Sequence, residues 1–148
     1  MGIAAVAIIA GIIIADIQYK KQSKYETELM LYERLADHCT YDTEAATKAA
    51  IEDSLAYTAY GALVEGRAVC QGYSDAIKLL CDYYNIPCVC ISGTANGGGH
   101  LWNAVQMDDG KWYFIDCTWD DQESRTYYDF FLVGTQSKNT YFGGKQFS

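Results

Sequence analysis

The sequence predicts an α+β fold in which N-terminal helices, one of them bearing a cysteine, pack on a mainly antiparallel sheet. Two observations favour this class. Up to about residue 85 the apolar residues recur at the three- and four-residue spacing of helices, and after Pro87 they alternate as in strands. Because the helices come first and short turns join the strands, the order differs from the regular helix–strand alternation of a parallel α/β fold.

The length of 148 residues suits a single domain, which we assign to residues 23–148. The apolar segment 1–22 is interpreted as an N-terminal helix or as the edge of a longer chain. Its first fourteen residues carry no charged side chain, yet a bilayer span needs about 20 residues, and a signal peptide would begin with basic residues. We therefore expect the domain to belong to a larger protein. Such a protein would lie in the cell envelope or outside the cell if it carries a signal or anchor, and otherwise in the cytoplasm.

The charge of the chain restricts its partners. The net charge is −8 and no basic patch interrupts it, which argues against nucleic acid and against an anionic membrane surface. The thirteen tyrosines favour a half-wetted groove, because each ring is apolar and ends in a polar hydroxyl. A protein or peptide partner fits these features.

The six cysteines predict neither a metal site nor a disulfide framework. They are Cys39, Cys70, Cys81, Cys88, Cys90 and Cys117. The Cys-x-Cys pair at 88 and 90 lacks the usual Cys-x2-Cys spacing of zinc sites, although His100 could in principle join it together with Cys81. With Cys70 set aside, the remaining cysteines are odd in number and lie in apolar runs, so we expect buried, reduced thiols. No cofactor is predicted.

Three helices are predicted in the N-terminal half. Ser23 followed three residues later by Glu26 is a capping box, and it opens a helix over residues 24–38. A second helix is predicted over Glu44–Leu55. A third begins near Cys70 and keeps a single apolar face until Asn85 stops it.

The C-terminal half predicts strands. The first is Cys88–Ser92, followed by a loop at Thr94–Gly99. Two strands, His100–Met107 and Lys111–Asp116, form a hairpin, and a further strand is predicted at Tyr127–Val133.

A candidate catalytic set emerges from these positions. Cys70 lies where a loop becomes a helix, and the partial positive charge of a helix N-terminus lowers a thiol pKa. His100 starts a strand and Asp116 ends the neighbouring one, so nucleophile, base and base-orienting carboxylate are all available. The only other histidine, His38, follows the end of a helix. The plainer alternative is that Cys70 simply packs in the core.

The choice of carboxylate depends on the register of the hairpin. A three-residue loop of residues 108–110, with Gly110 in the left-handed region, places His100 and Asp116 on one face as diagonal neighbours. A two-residue loop would place them on opposite faces. A register shifted by two residues would bring Asp120 to His100 instead.

Two stretches, VCQGYSDAIKLL and ISGTANGGGHLWNAVQMDDGKWYFIDCTWDD, resemble the transglutaminase-like superfamily, whose members share a papain-like cysteine-enzyme core. The matching residues fall in three blocks: Cys70, Gly72 and Tyr73; His100, Trp102 and Asn103; Asp116, Thr118 and Trp119. The close match covers residues 66–121, and a looser one about residues 30–133. Leu101 and Cys117 depart from the common Ala and Pro. The chain resembles bacterial domains of the group more than the large calcium-dependent animal enzymes.

The resemblance implies Cys70 as nucleophile, His100 as base and Asp116 as orienting residue. The expected reaction is acyl transfer from a protein or peptide amide, ending in a cross-link or in hydrolysis. The alternative is a binding module without catalysis.

Further residues are expected to support the reaction. The backbone N–H of Cys70 is the first oxyanion donor, and Gln71, Tyr57 or Tyr60 could supply the second. Trp102, two residues after His100 on the same strand face, is expected to shield the His–Asp pair from water.

Overall fold

The computed structural model describes residues 23–47, 54–95, 97–122 and 125–134, and the helix predicted within residues 1–22 lies outside them. The helices are α1 (Lys24–His38), α2 (Thr43–Thr47), α3 (Cys70–Tyr83) and α4 (Cys117–Asp120), with a 3₁₀ turn at Leu55–Tyr57 and a π-helical turn at Gly61–Glu65. The strands are β1 (Thr40–Tyr41), β2 (Arg67–Ala68), β3 (Cys88–Ala95), β4 (Gly98–Gln106), β5 (Trp112–Ile115), β6 (Asp121–Gln122), β7 (Arg125–Thr126) and β8 (Val133–Gly134). The α+β class is confirmed. No helix within the described ranges is both long and apolar enough to cross a membrane.

Helix α1 begins as its sequence predicts. The Ser23 hydroxyl accepts a hydrogen bond from the Glu26 N–H at 3.2 Å, which satisfies one first-turn donor. Its apolar face is fully buried and carries Leu31, Tyr32 and Leu35. The last residue, His38, bonds through Nε2 to the carbonyl of Leu63 at 2.8 Å and so ties the helix end to the core.

The predicted helix Glu44–Leu55 is wrong at its C-terminal end. Residues 43–47 are helical and residues 48–53 lie outside the described part, but Ser54 is extended. Its hydroxyl accepts from the N–H of Ala56 and starts the separate 3₁₀ turn that contains Leu55. A serine that bonds the backbone in this way competes with helix continuation.

Helix α3 forms the centre of the core, and the prediction of a helix that begins near Cys70 is confirmed. Its buried face carries Tyr73, Ala76, Ile77, Leu80 and Cys81. The face packs against α1 and against strands β3 and β4.

The main sheet has the strand order β3-β4-β5-β8 and is antiparallel throughout. The loop predicted at Thr94–Gly99 is wrong in extent, because β3 continues to Ala95 and pairs there with Gly98 at the start of β4. Only residues 96 and 97 connect the two strands, and Gly97 has φ 80°. The glycines that favoured a loop therefore form the end of a hairpin.

The strand predicted at Tyr127–Val133 is also wrong. Only Val133–Gly134 joins the sheet, and the preceding residues turn, with Leu132 at φ 54°. The physical reason is the carboxylate of Asp120, which binds the N–H of Phe130 at 3.0 Å and withdraws it from any strand ladder.

Gly72 permits a close approach at the start of α3. A Cβ atom at this position would lie 2.6 Å from the carbonyl oxygen of Ala56, 2.7 Å from the Cβ of Ala68 and 2.9 Å from the carbonyl oxygen of Thr58. The backbone of residues 56–58 therefore rests directly on the first turn of the cysteine helix.

Glu28 of α1 is a fully buried acid inside the core. Its Oε2 accepts from the Cys81 thiol at 3.1 Å, whereas Oε1 has no hydrogen-bond partner among the described residues. Burial raises the pKa of Glu28 from 4.5 to about 7, and the thiol bond offsets part of this effect.

We expect Gly72→Ala to lower the free energy of unfolding by about 1–3 kcal/mol, because the new methyl group overlaps fixed backbone atoms. Urea unfolding measures the effect. Gly99→Ala is the matched control, since a Cβ there meets nothing within 4 Å, and its change should stay within about 0.5 kcal/mol. Equal effects of the two substitutions would contradict the packing assigned to Gly72.

The buried Glu28 predicts a pH-dependent loss of stability. The folded state keeps the proton up to about pH 7, whereas the unfolded chain loses it near 4.5, so stability falls as the pH rises through this window. Glu28→Gln should remove a penalty of about 3 kcal/mol at about pH 8 and change little at acidic pH. Urea unfolding at both pH values tests this. The exposed Glu65→Gln serves as control, and a wild-type-like pH profile for Glu28→Gln would contradict the assignment.

Candidate active site

The fold brings Cys70, His100 and Asp116 together. Cys70 is the half-buried first residue of α3, His100 lies in β4, and Asp116 directly follows β5. The Nε2 atom of His100 lies 2.5 Å from Oδ2 of Asp116. The histidine is 7% exposed and the aspartate 1%, so water hardly reaches their hydrogen bond.

The hairpin register is the one predicted from the three-residue loop. Gly110 has φ 75° and donates its N–H to the Met107 carbonyl at 3.0 Å, and the Met107 N–H donates to the carbonyl of Lys111. Strand pairing continues in the same register along β4 and β5. His100 and Asp116 therefore share one face, and the predicted diagonal relation is confirmed.

The surroundings of Cys70 favour its thiolate. Burial and, to a smaller extent, the charge of Asp116 raise the pKa of the thiol. A hydrogen bond from His100, a hydrogen bond from the backbone N–H of Leu101 and the positive charge of the imidazolium outweigh them, so the pKa falls below its usual range. Because Asp116 occupies Nε2, the other ring nitrogen, Nδ1, is the one available to the thiol.

His100 is correspondingly basic. Burial lowers its pKa, yet the hydrogen bonds and charges of Asp116 and Cys70 raise it to a net value of about 9. A thiolate–imidazolium pair is therefore stable below that pH. It is lost when the imidazolium deprotonates above it, or when the thiolate takes up a proton in acid.

Asp116 is fixed at several of its polar atoms. Its Oδ1 accepts from the N–H of Trp119 at 3.1 Å and caps α4. Its backbone N–H donates to the Phe130 carbonyl at 3.0 Å, and its own carbonyl accepts from the Tyr32 hydroxyl at 2.8 Å. The carboxylate thus presents Oδ2 to His100 from a fixed backbone.

The rival carboxylate Asp120 is engaged elsewhere. It is fully buried, and its Oδ2 is hydrogen-bonded by the hydroxyl of Tyr32 and by the N–H of Phe130. Asp116, rather than Asp120, is bonded to His100.

Two indole rings enclose the imidazole. Trp102 lies with its ring centroid 5.8 Å from that of His100, which agrees with its predicted position beside the pair. Trp119 is nearer, at 4.5 Å and 9° between ring planes. The sequence reasoning assigned no role to Trp119, although its place three residues after a capping aspartate could have indicated it. Both rings limit the access of water to His100.

The predicted oxyanion residues occupy different surroundings. Gln71 is exposed in the first turn of α3, and the half-buried Tyr60 precedes the π-helical turn. The hydroxyl of Tyr57 donates to the carbonyl of Ala45 at 3.3 Å. Burial raises the pKa of Tyr41, and the charges of Cys70 and Tyr57 add to the effect. Tyr41 is a neighbour of Cys70 that sequence reasoning did not single out.

A groove of about 1280 Å³ opens beside His100 and Trp119. Tyr41 and Tyr127 contribute to its walls. Arg125 also borders it and lies 4.2 Å over the ring of Tyr127. His100 lines this groove, whereas Cys70 is not among its lining residues.

The cysteines are all unpaired thiols in the structure. Within the described ranges, no three His, Cys, Asp or Glu side chains are arranged to hold a metal ion. Two of the residues considered as zinc ligands have other partners: His100 is hydrogen-bonded to Asp116, and the thiol of Cys81 is hydrogen-bonded to Glu28.

Comparison with known proteins identifies a family whose model matches most of the chain. The family model described as the transglutaminase-like superfamily matches residues 13–117, which include all three candidate catalytic residues and part of the apolar N-terminal segment. No curated protein matches the chain.

Two solved structures share the fold. The crystal structure of a TGase superposes with a TM-score of 0.70 and 24% identity, covering 97% of this chain and 38% of the other. A provisionally assigned cysteine protease from Cytophaga hutchinsonii gives a TM-score of 0.58 and 15% identity, covering 76% of this chain and 37% of the other. The chain thus spans less than two-fifths of either protein. The α+β, papain-like core is confirmed, and family and fold support a cysteine enzyme in the general sense. The chain belongs to the transglutaminase-like superfamily.

Proposed function

We propose that the domain transfers acyl groups from carboxamides of a protein or peptide substrate through a Cys70–His100–Asp116 triad. The observation that carries the proposal is the buried 2.5 Å bond between His100 and Asp116, formed beside a thiol at a helix start. A cysteine kept only for packing requires neither this ion pair nor a pKa below its usual range.

The reaction begins with attack by the Cys70 thiolate on the carboxamide carbon. A C–S bond forms, and the carbonyl π electrons move to oxygen. The backbone N–H of Cys70 is a first-turn donor without an intrahelical acceptor, so it can stabilise the oxyanion. As the tetrahedral intermediate collapses, the C–N bond breaks, and the imidazolium of His100 gives its proton to the departing nitrogen.

The thioester then reacts with a second nucleophile. His100, now neutral, takes a proton from an amine or from water as that molecule attacks the thioester carbon. The C–S bond breaks, and the thiolate is regenerated against the imidazolium. An amine gives a new amide, which is a cross-link when both partners are proteins, and water gives a carboxylic acid.

Asp116 maintains the geometry of this cycle. Its bond to Nε2 holds the ring so that Nδ1 is directed to the thiol, and it stabilises each imidazolium state. The stacked ring of Trp119 keeps the imidazole from turning out of this plane.

The groove is the feature that supports a peptide substrate in this proposal. It borders His100 and offers tyrosine rings and hydroxyls to an extended chain. The net charge of −8 remains unfavourable for nucleic acid.

The test is detection of the acyl-enzyme. The domain is incubated with a library of glutamine-containing peptides, quenched in acid and analysed by mass spectrometry. We expect an adduct on Cys70 equal to the peptide minus ammonia, released on adding a primary amine or on standing in water. The product identifies cross-linking or hydrolysis.

Cys70→Ser and Cys90→Ser are the matched variants, since Cys90 is the exposed thiol of the described part. The first should abolish the adduct with the fold intact, and the second should retain it. Peptide binding without any adduct on Cys70 would contradict acyl transfer and favour a binding module.

A further inference from the structure

The hydroxyl of Tyr32 lies between two acceptors in the core. Its oxygen is 2.8 Å from the carbonyl oxygen of Asp116 and is also hydrogen-bonded to Oδ2 of Asp120. All three residues are at most 1% exposed, so their polar atoms depend mainly on partners within the protein. A phenol carries one proton, and that proton serves one acceptor at a time.

An ionised Asp120 leaves this arrangement short of one proton. The carboxylate and the Asp116 carbonyl would compete for the single proton of Tyr32, and the loser would face an oxygen lone pair. A proton on Oδ2 of Asp120 removes the conflict. That proton is donated to the oxygen of Tyr32, whose own proton is then directed to the Asp116 carbonyl.

The remaining contacts of Asp120 allow this state. The N–H of Phe130 lies 3.2 Å from Oδ1 and 3.0 Å from Oδ2, so the carboxyl group still accepts it when Oδ2 carries the proton. Every donor and acceptor in the chain from Asp120 through Tyr32 to Asp116 is then satisfied.

We propose that Asp120 carries a proton that orients the Tyr32 hydroxyl onto the Asp116 carbonyl, so that both residues position Asp116 for its bond to His100. The proposal rests on the catalytic role assigned to the His100–Asp116 pair. It gives a role to two residues outside the triad, and neither touches the reacting atoms.

The charges around Asp120 favour its protonated form. Its pKa is raised to about 7, chiefly by burial and also by the charges of neighbouring acids, although the bonds from Tyr32 and Phe130 lower it. The titratable neighbours are Tyr32 from α1, Asp116 and Cys117 from its own helix, and Tyr128 and Asp129 from the turn before β8. On α3, Tyr73 bonds to Asp121 instead. Two basic residues, His100 and Arg125, border the same groove as Asp120.

The sign of the pH effect follows. Below about pH 7 the proton is present, and the Asp116 carbonyl keeps its hydrogen bond from Tyr32 in addition to the longer one, 3.3 Å, from the Asp120 N–H. As the pH rises through that value, Asp120 loses its proton to solvent through the groove that it borders, and Tyr32 turns towards the carboxylate. The backbone of Asp116 then loses one of its supports while His100 is still protonated.

The experiment follows the Nε2–H proton of His100 by NMR between about pH 6 and about pH 8. In the wild type its chemical shift should move with a midpoint near 7. In Asp120→Asn the amide donates permanently to Tyr32, so the shift should stay constant at its low-pH value. In Tyr32→Phe, Asp120 still ionises but the connection is absent, and the shift should again stay constant. Asp121→Asn, the neighbouring acid bonded by another tyrosine, should titrate like the wild type.

The outcomes separate the alternatives. A titration that persists in Tyr32→Phe would show that the charge of Asp120 acts through space, and would overturn the proposal. A titration that persists in Asp120→Asn, or none in the wild type, would overturn it as well. If Tyr32→Phe does not fold, the wild type and Asp120→Asn can still overturn the proposal, through either of these last two results.

Alkylation of Cys70 by iodoacetamide separates this inference from the proposed function. At about pH 6, Tyr32→Phe should be labelled roughly two- to tenfold more slowly than the wild type, the factor expected for one net hydrogen bond. Asp120→Asn should match the wild type. Wild-type labelling of Cys70 no faster than that of the other cysteines would contradict the proposed function, whereas fast labelling unchanged by Tyr32→Phe would contradict only the positioning role.

Discussion

The hydrogen bond between Nε2 of His100 and Oδ2 of Asp116 is the interaction on which the site depends. The pairing of strands β4 and β5 brings the two residues together. A buried ion pair is stable only when its remaining lone pairs are satisfied, because both charges have left water. Asp116 meets this requirement through α4 at one carboxylate oxygen and through Tyr32 and Phe130 at its backbone. Removing one of these contacts should therefore weaken the bond between Asp116 and His100.

The packing of helix α3 places the nucleophile Cys70 beside this pair, independently of the contacts that fix Asp116. Helix α3 is anchored by a buried apolar face, so its first residue has a fixed position. Gly72 lets residues 56–58 lie against the first turn, and the N–H of Val69 donates to the Ala56 carbonyl at 2.9 Å. Helix and sheet meet where Cys70 faces His100, and the low pKa of the thiol results from that meeting rather than from the helix N-terminus alone.

Short-range signals predicted the parts of the fold that short-range forces determine. The capping serine of α1, the single apolar face of α3 and the glycine of the 108–110 loop each act within a few residues, and the corresponding elements are confirmed. The same loop is one of the registers that the sequence left open, and the structure forms this one, which places His100 beside Asp116.

The wrong predictions of secondary structure concern segments whose conformation depends on tertiary contacts. The segment before β8 alternates like a strand, but the buried carboxylate of Asp120, ten residues earlier, captures the N–H of Phe130. The run of three glycines resembled a loop, although pairing with β3 draws two of them into β4. The stacking of Trp119 on His100 and the contact of Tyr32 with Asp116 join segments that lie far apart in the sequence, and neither contact was predicted.

The central claim is that Asp116 keeps His100 charged and thereby keeps Cys70 as a thiolate. The most direct measurement is the ultraviolet absorbance of the Cys70 thiolate during a pH titration, taken as the difference between the protein and its Cys70→Ser variant, with and without Asp116→Asn. The account predicts a midpoint below the ordinary thiol range of about 8.5 and a move to higher pH in Asp116→Asn. An ordinary midpoint, or a low midpoint that Asp116→Asn leaves unchanged, would contradict it.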